Sequence, residues 1–257
     1  MKIKFIGTGS GKTSLKRHHS SILITSNQQK LLIDCGDGIS SALIKQNISF
    51  HSIDTIIISH LHADHFAGLP SLLTQMKLSR RISSLKIYVP KSDLNFIETL
   101  LERFYLFKER MDFELTLLPY KSDSEIILSN ELKLLPKFNS HLDKYKTSYP
   151  SKEFSSSGFI ISDDHLKIHY SGDIVSIKDL ENINPDLDYL ILEISHISID
   201  ELRSITQRFK SAKIILTHID DEIEPELIST ISLFENWQKS MIILAFDGFE
   251  INHIPSN

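Results

Sequence analysis

The sequence predicts a mixed α/β fold in which two β-sheets pack face to face under outer helices. Short runs rich in β-branched and aliphatic residues recur along the whole chain, stretches with helical apolar spacing fall between them, and strand-rich segments occupy both halves. With 257 residues and 41% hydrophobic content, the chain carries enough apolar surface for a sizeable core. One domain over residues 1–257 is expected, because no short-period repeat, low-complexity tract or long Gly/Pro-rich linker marks a boundary.

In chain order, strands are expected at residues 2–6, 21–25, 30–35, 54–59, 85–89, 113–118, 132–135, 158–161, 166–170, 189–194, 213–217, 241–246 and 249–252. Their β-branched enrichment and short length argue for each. Helices are expected at 40–46, 69–78, 93–107, 199–209 and 225–237, where apolar residues return at helical intervals. A further helix should start near Asp64. In the 93–107 segment, Phe96, Phe104, Tyr105 and Phe107 are read as core-packed, a homodimer face being their other use. The most polar stretch, 140–157, is brief.

A formal charge of -5 argues against a generally basic nucleic-acid surface, although it leaves local patches open. Lys77, Arg80, Arg81 and Lys86, which follow the 69–78 helix, are either phosphate contacts or a solvated helix end. The single Cys35 allows no internal disulfide and cannot by itself build a thiolate metal site, which fits a reducing compartment and makes the cytoplasm the expected location. No run approaches the roughly 20 apolar residues of a membrane span, and the N-terminus lacks a signal-peptide core, so no membrane partner is expected.

The densest chemistry lies in residues 60–65, HLHADH, directly after the apolar run 54–59. In extended chain, residues i and i+2 point the same way, so His60 and His62 can serve one cation. A turn into a helix then rotates Asp64 and His65 toward another, with the carboxylate near helix N-terminal amides. The chain has 12 histidines, and most lone histidines bind nothing. Three histidines and an aspartate at this spacing are far more specific.

Further donors recur where expected strands end: His141, Asp173 and His218. Taken singly, Asp173 after Ser-Gly reads as a turn former and His218 as a surface residue. Together with the hexapeptide they complete two shells: His60, His62 and His141 for one metal, Asp64, His65 and His218 for the other, and Asp173 bridging both. Imidazole and carboxylate suit two Zn2+ per chain, and manganese or iron suits the same donors. Two such cations, typically ~3.5–4 Å apart, would turn a bridging water into the hydroxide nucleophile, so that Asp64 counts as catalytic as well as ligating. Residues 7–13, GTGSGKT, do not make a phosphate-binding loop, since G-x-x-x-x-G-K-[ST] would need glycine where Ile6 stands.

These motifs resemble the metallo-β-lactamase fold superfamily and, within it, the ribonuclease Z-like branch. The opening strand and glycine loop at 5–11, LLIDCGDG at 31–38, HLHADHFAGLPSLL at 60–73, Ser171-Gly172-Asp173, LTHI at 216–219 and FDGF at 246–249 match in order, so the resemblance spans nearly the whole chain. It implies a four-layer αββα sandwich with a dimetal site at one edge of the two sheets, and the same seven ligands. It also implies that His196 assists phosphodiester cleavage as a general acid, that Glu193 orients it, and that Asp34 buttresses the metal loop without ligating. Asp37, His18 and His19 are left as solvated or loop residues.

The implied activity is a zinc-dependent phosphodiesterase acting on RNA, a small diester or a cyclic nucleotide. Only 31 residues separate His141 from Asp173, where tRNA-processing members carry a long arm, which argues against precursor tRNA. Hydrolysis of a non-phosphate ester or thioester, and iron-dependent oxidoreduction, are the alternatives on this fold. A non-catalytic binding protein would be expected to have lost ligands, and all seven are here.

Overall fold

Aliphatic residues on both faces of consecutive short strands force each sheet to be covered twice, and the computed structural model, which describes residues 1–252, shows how. Strands β1 (Lys2–Gly7), β2 (Ser21–Ser26), β3 (Gln29–Ile33), β4 (Thr55–Ile57), β5 (Leu85–Pro90) and β6 (Leu115–Tyr120) build one sheet. Strands β7 (Ile126–Ile127), β8 (Lys133–Phe138), β9 (Ser157–Ser162), β10 (Lys167–Tyr170), β11 (Tyr189–Glu193), β12 (Lys213–Thr217) and β13 (Ile242–Leu244) build the other, and β14 (Glu250–Asn252) returns to pair with β1. The orders are β14-β1-β2-β3-β4-β5-β6 and β13-β12-β11-β10-β9-β8-β7.

Alternation along the strands sorts side chains between layers. Ile191 and Ile215 join Ile3, Phe5, Ile33 and Ile57 in the core between the sheets. Their neighbours Leu190, Leu192, Ile214 and Leu216 face outward onto α5 (Ile199–Arg208), α6 (Glu224–Ile231) and α7 (Asn236–Met241). On the opposite side, Leu32, Ile56 and Ile87 pack against α1 (Ile39–Lys45), α3 (Leu69–Leu78) and α4 (Leu94–Arg103). This is the expected αββα sandwich.

Strands β3 to β6 pair parallel, as do β10 to β13. Their carboxyl ends therefore meet along one edge, where loops from both sheets converge.

Four expectations need correction. The stretch 225–237 is two helices, because Phe234 turns into the core and Glu235 with Gln238 forms a capping box that starts α7. The short β7 pairs with β8 and was not expected. Helix α4 ends at Arg103; it buries Ile97 and Leu101 but leaves Phe96 53% exposed, and beyond it Phe104 and Tyr105 are 56% and 75% exposed, so these three rings are not core-packed. Arg81 is neither a phosphate contact nor solvated. It is wholly buried, and its guanidinium donates to the carbonyls of Phe50, Ile53, Ser83 and Ser84. Arg81 and Lys86 precede or open β5, at the amino ends of the parallel strands and away from the converging loops.

Candidate metal centre

Each proposed ligand, with Asp34 and His196, lies just beyond a strand. Asp34 follows β3, His60 to His65 follow β4, His141 follows β8, Asp173 follows β10, His196 follows β11 and His218 follows β12. Asp34 and His218 adopt left-handed backbone, with φ of 63° and 58°, an unusual conformation for residues with a side chain. The short helix α2 (Ala63–Phe66) begins one residue before Asp64, as anticipated. Glycines let the loops close up: a Cβ on Gly36 would lie 2.2 Å from the Asp64 carbonyl oxygen, so only glycine lets 34–38 pass beneath the metal-loop backbone. Backbone bonds from Cys35 to His65 (2.7 Å) and from Gly68 to Cys35 (2.9 Å) then pin the two segments together.

The seven residues fall into two groups sharing Asp173. One is His60, His62, His141 and Asp173, the other Asp64, His65, Asp173 and His218, with donor atoms in each group within 4.8 Å of one another. Asp173 Oδ1 is 3.2 Å from His65 Nε2, and its Oδ2 is 3.5 Å from His218 Nε2 and 3.7 Å from His141 Nε2. His218 Nε2 also lies 2.9 Å from Asp64 Oδ2. His62 Nδ1 and His141 Nε2 face each other at 3.1 Å.

Surrounding hydrogen bonds decide which ring nitrogens point inward. The Ser59 hydroxyl gives its proton to Asp34 Oδ2 (2.8 Å), so it can only accept from His60 Nδ1–H at 3.1 Å. His65 Nδ1–H donates to Asp34 Oδ2 at 2.8 Å. The Ser195 hydroxyl donates to the His218 carbonyl (2.5 Å) and accepts from His218 Nδ1–H (3.0 Å). All three histidines are thus turned with Nε2 toward the centre. His60 Nε2 is buried there without a hydrogen-bond partner, and the equally buried His65 Nε2 and Asp173 Oδ1 face only each other, 3.2 Å apart. An orphaned buried imidazole nitrogen beside a buried carboxylate ringed by further imidazoles is costly unless a cation takes it up, and the donor set fits two divalent metals.

Electrostatics agree with that fit. Burial, reinforced by His65, pushes His60 well below the ordinary imidazole range, and burial lowers His62 and takes His141 down to about 4. These rings keep their lone pairs. Burial opposes protonation of His65 and His218, but Asp173 outweighs it and raises both, helped by Asp34 for His65 and Asp64 for His218. Against burial, the His218 hydrogen bond holds Asp64 below the usual carboxylate range, and the charges of His218 and His65 hold Asp173 well below it.

A cavity of about 370 Å³ opens over the centre, lined by His62, Asp64, His141, Asp173 and His218, with His196 on its wall. Glu193 is buried; its Oε1 lies 3.0 Å from His196 Nδ1 and its Oε2 accepts from the His196 amide. That bond is the main cause of a raised His196 pKa. Glu193, His196 and His218 also cluster tightly enough to hold a cation, but Glu193 is already engaged by His196 and the Ile174 amide. His18 and His19 are residues of the loop before β2, half-buried there: His18 Nδ1 is bonded to Asp247 and His19 Nδ1 to the Ser10 carbonyl. Residues missed in the sequence are Ser59 and Ser195, which set histidine orientation, and Lys12 and Lys144, which line the cavity. Ser59 and Ser195 sit beside strand ends, and that position was the available signal.

Among solved structures, the fold matches the short form of human tRNase Z with a TM-score of 0.73 and 21% identity over 98% of this chain and 99% of that one. The metallo-β-lactamase fold protein YhfI of Bacillus subtilis matches with a TM-score of 0.73 and 20% identity, over 98% and 99%. At these identities the likeness establishes the fold. By sequence, ribonuclease Z of Alkaliphilus oremlandii is 41% identical over 91 residues, 35% of this chain and 29% of that protein. Ribonuclease Z of Prochlorococcus marinus strain MIT 9301 is 34% identical over 135 residues, 51% of this chain and 42% of that protein. The chain thus spans less than half the length of these curated relatives. The family model described as anti-Pycsar protein Apyc1 matches residues 1–238. With that match over nearly its full length, this ribonuclease Z-like chain of the metallo-β-lactamase fold belongs to the anti-Pycsar protein Apyc1 family.

Proposed function

We propose that the protein is a metal-dependent phosphodiesterase using two zinc ions, one held by His60, His62 and His141, the other by Asp64, His65 and His218, with Asp173 shared. The observation that carries this reading is the convergence of His60 Nε2, buried without a hydrogen-bond partner, and His65 Nε2 on the Asp173 carboxylate, which itself lines an open cavity. Bound divalent cations supply Lewis-acid stabilisation of phosphoryl charge and lower the pKa of water. The rest falls to the chain's own groups. His196, whose hold on a proton the Glu193 hydrogen bond strengthens, gives a proton to the leaving oxygen, and Lys144 on the cavity wall offers a cation to the phosphate.

A small diester or cyclic nucleotide is favoured over precursor tRNA. The residues between His141 and Asp173 are spent on a one-turn helix at Asp143–Tyr145 and on the β9–β10 hairpin, whose strands are part of the sheet. The reading takes residues 1–257 as one cytoplasmic domain; no described helix is long and apolar enough to cross a membrane. The test is hydrolysis of bis(p-nitrophenyl) phosphate by purified protein, with metal counted on the same sample. Chelator-sensitive turnover at about two zincs per chain is expected. Two bound metals without turnover would move the search to ester, thioester or redox substrates.

A further inference from the structure

Three of the proposed ligand imidazoles are fixed by a hydrogen bond at Nδ1: His60 by Ser59, His65 by Asp34 and His218 by Ser195. His62 is held through its backbone, whose carbonyl accepts from the His65 and Phe66 amides at 3.0 Å. His141 has neither support. Among the described residues its ring meets polar neighbours at Nε2, with His62 Nδ1 at 3.1 Å and Asp173 Oδ2 at 3.7 Å, and makes no hydrogen bond at Nδ1. It also lies beyond the end of β8, outside the strand ladder. A ring so placed takes its position from the chain on either side of it.

That chain is held by Asp179, which lies 39 residues further on in the one-turn helix Ile177–Leu180. Asp179 Oδ1 accepts from the Ser140 amide at 2.9 Å, and its Oδ2 accepts from the Ser140 hydroxyl at 3.0 Å and from the Val175 amide at 2.9 Å. Ser140 directly precedes His141, and Val175 is two residues after Asp173. One carboxylate thus ties the segment carrying His141 to the segment carrying the shared Asp173, through bonds that its charge strengthens. The helix beneath it is itself anchored: Leu180 is wholly buried, and Glu201 in the first turn of α5 accepts from the Ile177 amide at 3.1 Å. Asp173 has a second support, because the neighbouring Ile174 amide donates to Glu193 at 3.2 Å. Loss of Asp179 would therefore release His141 more than Asp173.

We infer that Asp179 is a positioning residue for the metal centre, holding His141 through Ser140 in place of the Nδ1 hydrogen bond that fixes the other rings. The inference rests on the two-zinc reading and deepens it, since it names what places the third donor of the His60, His62 and His141 group.

The test is a zinc titration of Asp179→Ala and of the unsubstituted protein, in competition with a chromophoric chelator. Two binding steps are expected in the unsubstituted protein. In the variant, one step should weaken by roughly 10- to 100-fold while the other moves by less than about threefold. Cobalt(II) bound at the weakened step should change its d–d absorption, because a displaced donor alters coordination geometry. Ser140→Ala keeps the amide bond and should cost less. Asp179→Asn keeps one acceptor but turns an N–H toward a donor, so it should recover only part; being nearly isosteric, it carries the same comparison if the alanine variant does not fold. Urea midpoints of the metal-free proteins are measured alongside. Two unshifted steps would overturn the inference, as would both steps weakened alike with a lowered midpoint, the mark of a purely structural residue. Fewer than two zincs in the unsubstituted protein would instead bring down the two-zinc reading and the inference with it, so the two failures are told apart.

Discussion

His65 is held between two carboxylates, its Nδ1 2.8 Å from Asp34 Oδ2 and its Nε2 3.2 Å from Asp173 Oδ1. Asp34 also accepts from the Ser59 amide (2.7 Å), the Ser59 hydroxyl (2.8 Å) and the Tyr170 hydroxyl (3.1 Å). It therefore positions His65 directly and His60 through Ser59, one ring in each donor group. Asp34→Asn should weaken metal binding by roughly 10- to 100-fold with the fold retained. Competition with a chromophoric chelator measures this, and an unchanged affinity would show that Asp34 matters only for packing.

Metal uptake should depend on pH, with a definite sign. In the metal-free protein the carboxylates raise His65 and His218 above the ordinary imidazole value of 6.5, so a cation must displace protons from them. His60 and His141 are lowered and already neutral. Affinity should fall more than tenfold from pH 8 to pH 6, with proton release detectable by calorimetry in buffers of different ionisation enthalpy. Stability of the metal-free fold runs the other way: the contribution of these protonated rings is complete below about 6.5 and fades as pH rises through their raised values. A flat affinity profile would mean that His65 and His218 are neutral before metal arrives.

Asp64 and His196 should separate in their failure modes. Asp64→Ala removes a donor, and both metal content and turnover should drop. His196→Ala leaves all seven donors in place, so metal content should persist while turnover falls by about 10²- to 10⁴-fold, the usual weight of a general acid. Loss of metal in the His196 variant would assign that ring to holding the centre instead.

The sequence was most legible where side chains repeat or cluster. The short aliphatic, β-branched run at 213–217 placed β12 to the residue, and the HLHADH spacing divided its own four side chains as the two clusters divide them. It was least legible where one side chain's environment depends on distant backbone. Arg81 sits in a basic run that reads as surface, yet its partners Phe50 and Ile53 lie some thirty residues away. The rings at 145–154 look like loop residues until the chain folds them beside His62. The 225–237 periodicity continues across a real break, because the cap at Glu235 satisfies the amides of a new helix without disturbing the apolar spacing.

Arg81 leads to a prediction about stability far from the chemistry. Its guanidinium serves four backbone carbonyls in a wholly buried position, with the Phe113 ring 5.6 Å away. Burial without a carboxylate partner is tolerable because the carbonyl dipoles replace water around the charge. Arg81→Ala would leave those acceptors to find new donors and open a cavity, at a cost on the order of 3 kcal/mol or more. Arg81→Lys should recover little, since three donors on a flexible stem cannot match a planar fork reaching four carbonyls. Urea unfolding should show a lower midpoint for both variants, with zinc content unchanged in the fraction that remains folded. A lysine variant as stable as the parent would mean that charge alone, and not the guanidinium geometry, holds this corner of the sheet.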